Sequence, residues 1–558
     1  MDSHITVLYG LGAAALTASL LKAKSRLELS RAKHRSLAGH VRMSRFVASL
    51  IPYYELTGTD FVAADDAPHE IRERRSRALD ALAADYRARY PRTIEQKAAM
   101  KEIISDLQFT DLYRVPFPFS RHAAAALGSS PLLASSKGVT VTDVDGNMYF
   151  DVAGSYGVNT FGYDFYKDCI EKGSRLVRDL GPVLGSYHPV VQYNVERIRQ
   201  ISGQDEVSFH MSGTEAVMQA VRLARYHTRR SHVVRFSGAY HGWWGDVQPG
   251  IGNPVRARDT YTLAEMSEAT LRVLRRRRNI ACVLVNPSQA MHPNAGPPGD
   301  SALVDSTRHA TFDRNAYMQW LKRLRDVCTE RGIVLILDEI FVGFRLAPGG
   351  AQEYFGVKAD MVTYGKTLGG GLPVGVLTGR HDLMKRYRDD RPGDICFARG
   401  TFNAHPYVMG AMHQFLRALE TPQLQGLYTA LDDTWNGRAA SLNQRLASLD
   451  LPVRVANMST IWTVLYEVPS RYNWMFQYYL RKHGLLLSWV GTGRLIFSLN
   501  YTAAEFDAVS DRFVAAAAEM QADGWWWHDA KSEGAPIKRR MLREMIERGV
   551  LKRSPRKA

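Results

Sequence analysis

Thr363-Tyr364-Gly365-Lys366-Thr367-Leu368-Gly369-Gly370-Gly371 places a single lysine in a glycine-rich bend. Shortly before it lies the apolar run Ile333–Leu337, which ends in Asp338-Glu339. Aliphatic residues running into an acid read as the carboxyl end of a buried parallel strand. A lysine in such a bend can condense with an aldehyde, and the glycines let backbone crowd against a bound group. A buried carboxylate at the neighbouring strand end can pair with a ring nitrogen. Taken singly, Lys366 reads as a solvated loop residue and Asp338 as a turn or helix cap. Two further elements upstream shift that balance.

The first is Phe209-His210-Met211-Ser212-Gly213-Thr214-Glu215-Ala216, a short strand that breaks at Ser-Gly-Thr and enters the helical run Ala216–Arg225. Unsatisfied N–H groups at a helix start bind phosphate, and Ser212 and Thr214 add hydroxyls. The same letters also spell a plain helix cap. The second is Tyr240-His241-Gly242, after the strand-like Val233-Val234-Arg235-Phe236. An aromatic ring there can stack on a flat heteroaromatic. Together the four elements match what pyridoxal phosphate needs from a protein.

In this order, the elements make the chain resemble the class III pyridoxal-phosphate-dependent aminotransferases, and within them the glutamate-1-semialdehyde 2,1-aminomutases. The resemblance runs from about Phe117 to about Met520. It is carried by SGTEA at Ser212–Ala216, YHG at Tyr240–Gly242, LILDEIFVGFR at Leu335–Arg345 and GGAQEYFGVKADMVTYGKTLGGGLPVG at Gly349–Gly375. GTFNAHP at Gly400–Pro406 and the hairpin-like DVDGNMYFD at Asp143–Asp151 complete it.

The resemblance implies an α/β chain of the PLP-dependent transferase fold type I. A large domain, roughly 167–421, would carry a mostly parallel seven-stranded sheet. A smaller α+β domain would combine 117–166 with 422–522. Lys366 would be the Schiff-base lysine and proton shuttle, and Asp338 would keep the pyridine nitrogen protonated. Ser212, Gly213 and Thr214 would cradle the phosphate, Tyr240 would stack on the ring with His241 beside it, and Gln289 would lie near the ring hydroxyl. Thr401 would complete the phosphate site of a second subunit, giving a homodimer with shared active sites. Arg121 aligns with an arginine that grips the substrate carboxylate, as suits a planar guanidinium. Ser155 and Tyr156 match a step near the substrate entrance, and Arg494 lies near a segment that closes the site in relatives.

Two departures bear on the reaction. Asn286-Pro287 stands where relatives carry Glu-Pro, and Trp243–Asp259 is shorter than the gating loop of the aminomutases. A short gate releases intermediates. It favours transfer of an amino group from a small-molecule donor to an aldehyde or keto acceptor, with pyridoxamine phosphate between the halves. The alternative is the semialdehyde aminomutase or a related amino-group isomerase. A non-enzymatic, membrane-tethered binding protein is a third reading, which the intact Lys366 and Asp338 oppose.

A chain of 558 residues with 45% hydrophobic content can bury a large core. Cys169, Cys282, Cys328 and Cys396 show neither metal-ligand nor disulfide-framework spacing, which points to a reducing compartment and no metal site. The net charge of +16 gathers in the extension 1–110 and the tail 531–558. The tail reads as an amphipathic helix, Lys538–Arg548, followed by a disordered basic end. Its candidate partners are anionic lipid or an acidic protein. No nucleic-acid module with interleaved aromatics is present, which argues against that partner. Within the extension, Ile5–Leu21 is an uncharged run followed by Lys22, Lys24 and Arg26, and Ala67–Lys101 reads as Arg-rich helix. The run is marginal for a membrane span. It either anchors the chain, lies on the membrane surface or packs on the dimer, and in each case the catalytic body is expected in the cytoplasm.

Overall fold

The computed structural model describes residues 2–33, 41–113, 115–128, 130–248, 252–255, 258–287, 312–487, 493–528 and 534–550. Its centre is a seven-stranded sheet. In spatial order the strands are Glu206–His210, Gly375–Gly379, Met361–Gly365, Val334–Asp338, Ile280–Val285, His232–Phe236 and Thr260–Leu263. Gly375–Gly379 runs antiparallel to both neighbours; every other pairing is parallel. Val334–Asp338 and Ile280–Val285 are buried along their whole length, as strands covered on both faces must be.

Helix Gly213–Thr228 covers this sheet, packing on Met361–Gly365 and Gly375–Gly379. Helix Arg314–Arg331 starts at Asp313, whose side chain accepts from Ala316 N, and stops at left-handed Gly332. Two smaller sheets flank it. One joins Leu133–Lys137, Thr140–Asp143, Met148–Asp151 and Leu485–Leu486; the other joins Val453–Met458, Ile461–Tyr466 and Arg494–Ile496. DVDGNMYFD closes the turn between Thr140–Asp143 and Met148–Asp151, which pair antiparallel.

The N-terminal extension is largely built into the body. Ala67–Lys101 forms two helices, His69–Arg89 and Pro91–Lys101, divided where Pro91 opens the second. Arg75, fully buried, grips Asp65 through two nitrogens at 2.7 Å and lies 4.4 Å from the Tyr472 ring centroid. Tyr86 donates to Tyr478 O and Tyr472 donates to Phe61 O, both at 2.6 Å. The extension thereby supplies core to the C-terminal part of the chain.

Residues 5–21 fall within helix Asp2–Ala32. Its far end docks on the body: Arg277 donates to Ser25 O and Ala264 N to Ala32 O, at 2.9 and 2.8 Å. Among the described residues no helix is long and apolar enough to cross a membrane. The spanning alternative for 5–21 therefore finds no support: the helix runs on through Lys22, Lys24 and Arg26 onto the protein.

The tail is also more engaged than its sequence suggests. Helix Gly534–Val550 extends beyond the predicted Lys538–Arg548, and Glu544 takes Arg471 through two bonds of 2.7 and 2.9 Å. Arg540 pairs with Asp66. Residues 551–558, expected to form the disordered basic end, lie outside the described set.

Candidate active site

The carboxyl ends of Val334–Asp338 and Met361–Gly365 lie side by side, with Asp338 in register with Thr363. This is where parallel sheets open their crevices. Asp338 is buried and takes three donors. His241 Nδ1 bonds Oδ2 at 2.7 Å, while Thr363 Oγ1 and Ile340 N bond Oδ1 at 3.2 Å. His241 is equally buried, and its Nε2 has no hydrogen-bond partner. Because a carboxylate only accepts, this arrangement puts the proton on Nδ1.

Lys366 begins the turn directly after its strand, with φ 47°, a conformation rare outside glycine. Its Nζ donates to Tyr156 O at 2.6 Å and lies 4.6 Å from the Phe341 ring centroid. Tyr156 belongs to the turn Gly154–Gly157, in which all four residues have positive φ. Such strain gathers at ligand clamps. The turn is held from below: Ser155 Oγ lies 2.7 Å from Tyr163 OH, which donates to Asp151 Oδ2 at 2.6 Å. Burial lowers the Lys366 amine to about 8; Asp338 opposes this, while the charges of Arg345 and Arg494 add to it.

On the opposite wall, Ser212 caps helix Gly213–Thr228, its Oγ accepting from Glu215 N at 3.3 Å. That hydroxyl performs the plain capping role; the first-turn N–H groups of Gly213 and Thr214 have no carbonyl within the helix to donate to. Close packing fixes this turn. A Cβ on Gly375 would overlap the Ser212 carbonyl, one on Gly242 would overlap the Thr214 side chain, and one on Gly213 would stand 2.7 Å from Ile340 Cδ1. Tyr240, directly before His241, leaves its ring 61% exposed and accepts from Asn286 Nδ2 at 3.1 Å through its carbonyl. Asn286 thus holds the backbone of the tyrosine.

The remaining candidates divide. Thr401 is exposed, one residue beyond Gly400, at which a Cβ would lie 3.9 Å from Glu215 Oε2. Arg121 Nη1 bonds Glu55 at 3.1 Å and its guanidinium lies 4.8 Å from the Tyr53 ring, so its described contacts are to the N-terminal extension. Gln289 lies outside the described residues. Nothing in the sequence assigns a role to Phe341, Thr363 or Arg345, and Arg494 is placed only near a segment that closes the site in relatives. Phe341 and Arg345 sit inside the quoted LILDEIFVGFR, so the signal was present without a reason to weigh it.

These residues fit pyridoxal phosphate: an amine of depressed basicity, a buried carboxylate backed by histidine, and a helix start packed too closely for side chains. The comparisons agree. The profile described as Aminotransferase class-III matches residues 126–246 and 313–517. Glutamate-1-semialdehyde 2,1-aminomutase of Geotalea daltonii is 30% identical over 378 residues, covering 63% of this chain and 80% of the relative. The enzyme of that name from Acetivibrio thermocellus is 34% identical over 318 residues, covering 54% and 68%. Among solved structures, a transaminase with PLP bound is 25% identical with a TM-score of 0.61, covering 77% of this chain and 99% of that one. A glutamate-1-semialdehyde aminomutase from Pseudomonas aeruginosa PAO1, at 18% identity and TM-score 0.63 over 80% and 99%, shares the fold. On sequence and architecture alike, the chain belongs to the class-III aminotransferase family.

Proposed function

We propose that the protein is a pyridoxal-phosphate-dependent aminotransferase that moves an amino group from a donor to an aldehyde or keto acceptor. The observation that carries this reading is Lys366, its amine lowered to about 8 and set against Tyr156 O at the mouth of the Asp338 strand. When bound, the cofactor supplies an aldehyde that condenses with amines and a ring that draws electrons from the substrate carbon. Lys366 Nζ would serve as the nucleophile toward that aldehyde and, when its amine is free, would hold and return a proton at the substrate carbon. Asp338, oriented by His241, would hold the ring nitrogen. The N–H groups of Gly213 and Thr214 would take the phosphate, and Tyr240 would cover the ring face.

Transfer between two substrates, in preference to internal amine migration, is supported by the short stretch between Gly242 and strand Thr260–Leu263. The test is a donor half-reaction. Glutamate, alanine or a diamine should alter the cofactor's absorbance and release about one carbonyl product per site, and a keto acid should restore the spectrum. Turnover of a single amino aldehyde, with no donor effective, would establish the isomerase instead.

The division into a large domain, 167–421, and a composite smaller one is supported by the grouping of strands into one large and two small sheets. A homodimer with Thr401 reaching the neighbouring site is supported by apolar rings left exposed on adjoining loops. Tyr187, Phe397 and Phe402 stand 66%, 68% and 49% exposed, and Arg399 ties the loops by donating to Gly185 O at 3.1 Å. Sedimentation of the full chain at working concentration tests it; a monomer with full activity would refute it. Contact of the first helix with an anionic membrane surface is supported by exposed Leu16, Leu20 and Leu21 followed by Lys22, Lys24 and Arg26. Co-flotation with phosphatidylserine vesicles tests that reading; the protein remaining at the bottom would refute it.

A further inference from the structure

Arg345 is fully buried, and every oxygen it bonds is neutral. Nη1 donates to Thr460 Oγ1 at 3.1 Å and Phe497 O at 2.5 Å. Nη2 donates to Gly157 O, Asn159 O and Thr160 Oγ1 at 3.3, 3.2 and 3.1 Å. A buried cation without an acid in contact is costly and is retained where the charge or the fork has a task. This fork fastens three segments from the large sheet's side: the turn that follows Tyr156, the bend at Thr460 between two strands, and the residue after strand Arg494–Ile496.

All of this converges behind Lys366. Gly157, bonded by Arg345, is packed so closely that a Cβ would stand 2.6 Å from Phe341 Cδ2 and 3.6 Å from Lys366 Cδ. Phe341 approaches both cations, its ring centroid 4.6 Å from Lys366 Nζ and 5.9 Å from Arg345 Cζ. The preceding carbonyl, Tyr156 O, is the one that receives Lys366 Nζ.

We propose that Arg345 is a positioning residue for Lys366: its fork fixes the left-handed turn that presents Tyr156 O, and its charge approaches the same Phe341 ring as the Lys366 nitrogen. This rests on Lys366 being the cofactor lysine. The charged groups facing Lys366 are Asp338, Arg345 and Arg494; the titratable groups nearest Arg345 are the buried phenols Tyr166 and Tyr428, kept neutral by burial, and Asp151. A positive neighbour disfavours a proton on the lysine nitrogen, in the same direction as burial.

The experiment is a pH titration of the absorbance of the full-length protein carrying pyridoxal 5′-phosphate, which reports the proton on the nitrogen of Lys366. Folding of each variant is checked by circular dichroism. Arg345→Gln should raise the midpoint by about one pH unit, roughly a tenfold change in the deprotonated fraction at fixed pH. Arg345→Lys, which keeps the charge and loses the fork, should keep the midpoint but shed cofactor several-fold faster on dialysis. An unmoved midpoint in folded Arg345→Gln overturns the proposal. If that variant does not fold, a moved midpoint or unchanged cofactor retention in Arg345→Lys overturns it. Lys366→Ala is the control: a titrating band that survives there refutes the assignment of the lysine, a failure separate from that of Arg345.

Discussion

Replacing His241 with leucine would remove the Nδ1–H that Asp338 Oδ2 accepts at 2.7 Å. Asp338 is 3% exposed, and its two other donors both sit on Oδ1 at 3.2 Å, so water offers little compensation to Oδ2. A buried hydrogen bond to a charged group contributes ~1.5–3 kcal/mol, and 1.36 kcal/mol is a factor of ten, so the change amounts to roughly 10–150-fold in an equilibrium constant. That loss falls on the Asp338 carboxylate, the group that in the proposed function would hold the cofactor's ring nitrogen. We therefore expect His241→Leu to weaken pyridoxal phosphate binding by about that factor. Asparagine can place an amide Nδ2 near the position of histidine Nδ1, so His241→Asn should recover most of the affinity. The assay is a spectrophotometric titration of cofactor-free protein with pyridoxal phosphate, after thermal melts confirm that both variants fold. Equal, wild-type affinities in the two variants would refute the reasoning.

Three other expectations concern stability. The folded state lowers the Lys366 amine from 10.5 to about 8, so between those values the unfolded chain binds more protons. The cost of burying it is thus complete below about pH 8 and fades as pH rises through 10.5. Lys366→Met should stabilise the cofactor-free protein by ~1–3 kcal/mol near pH 7 and progressively less above pH 9, as urea melts at several pH values would reveal. Gly375→Ala forces a methyl group onto the Ser212 carbonyl. It should cost ~2–4 kcal/mol in urea unfolding and abolish cofactor retention. Glu544→Ala would leave Arg471, with a side chain only 2% exposed, without its carboxylate. A loss of ~3–5 kcal/mol is expected, with trypsin cutting the tail helix faster than in the parent protein.

The strand reading around Asp338 and Lys366 succeeded because aliphatic runs and glycine bends are local signals with local causes. The Ser-Gly-Thr break was legible for the same reason, although the sequence could not decide whether Ser212 would cap the helix. It does. What stayed hidden depends on distant pairing. The bond from His241 to Asp338 joins residues far apart in the chain, and the Arg345 fork gathers Gly157, Thr460 and Phe497. Arg121 shows the converse: alignment gave it a substrate role, whereas its described partners are Glu55 and Tyr53 of an extension that the resemblance does not cover. Within the extension, Ala67–Lys101 is legible as Arg-rich helix from its charge, and charge does not reveal that Arg75 is buried over Tyr472.

In the proposed function Lys366 holds the cofactor through which the amino group moves. Borohydride reduction of the protein with pyridoxal phosphate bound, followed by peptide mass spectrometry, tests it directly. The reduced cofactor's mass is expected on the peptide that contains Lys366, and is expected to be absent after prior incubation with an effective amino donor. Cofactor mass on a different lysine, or on none, would contradict it.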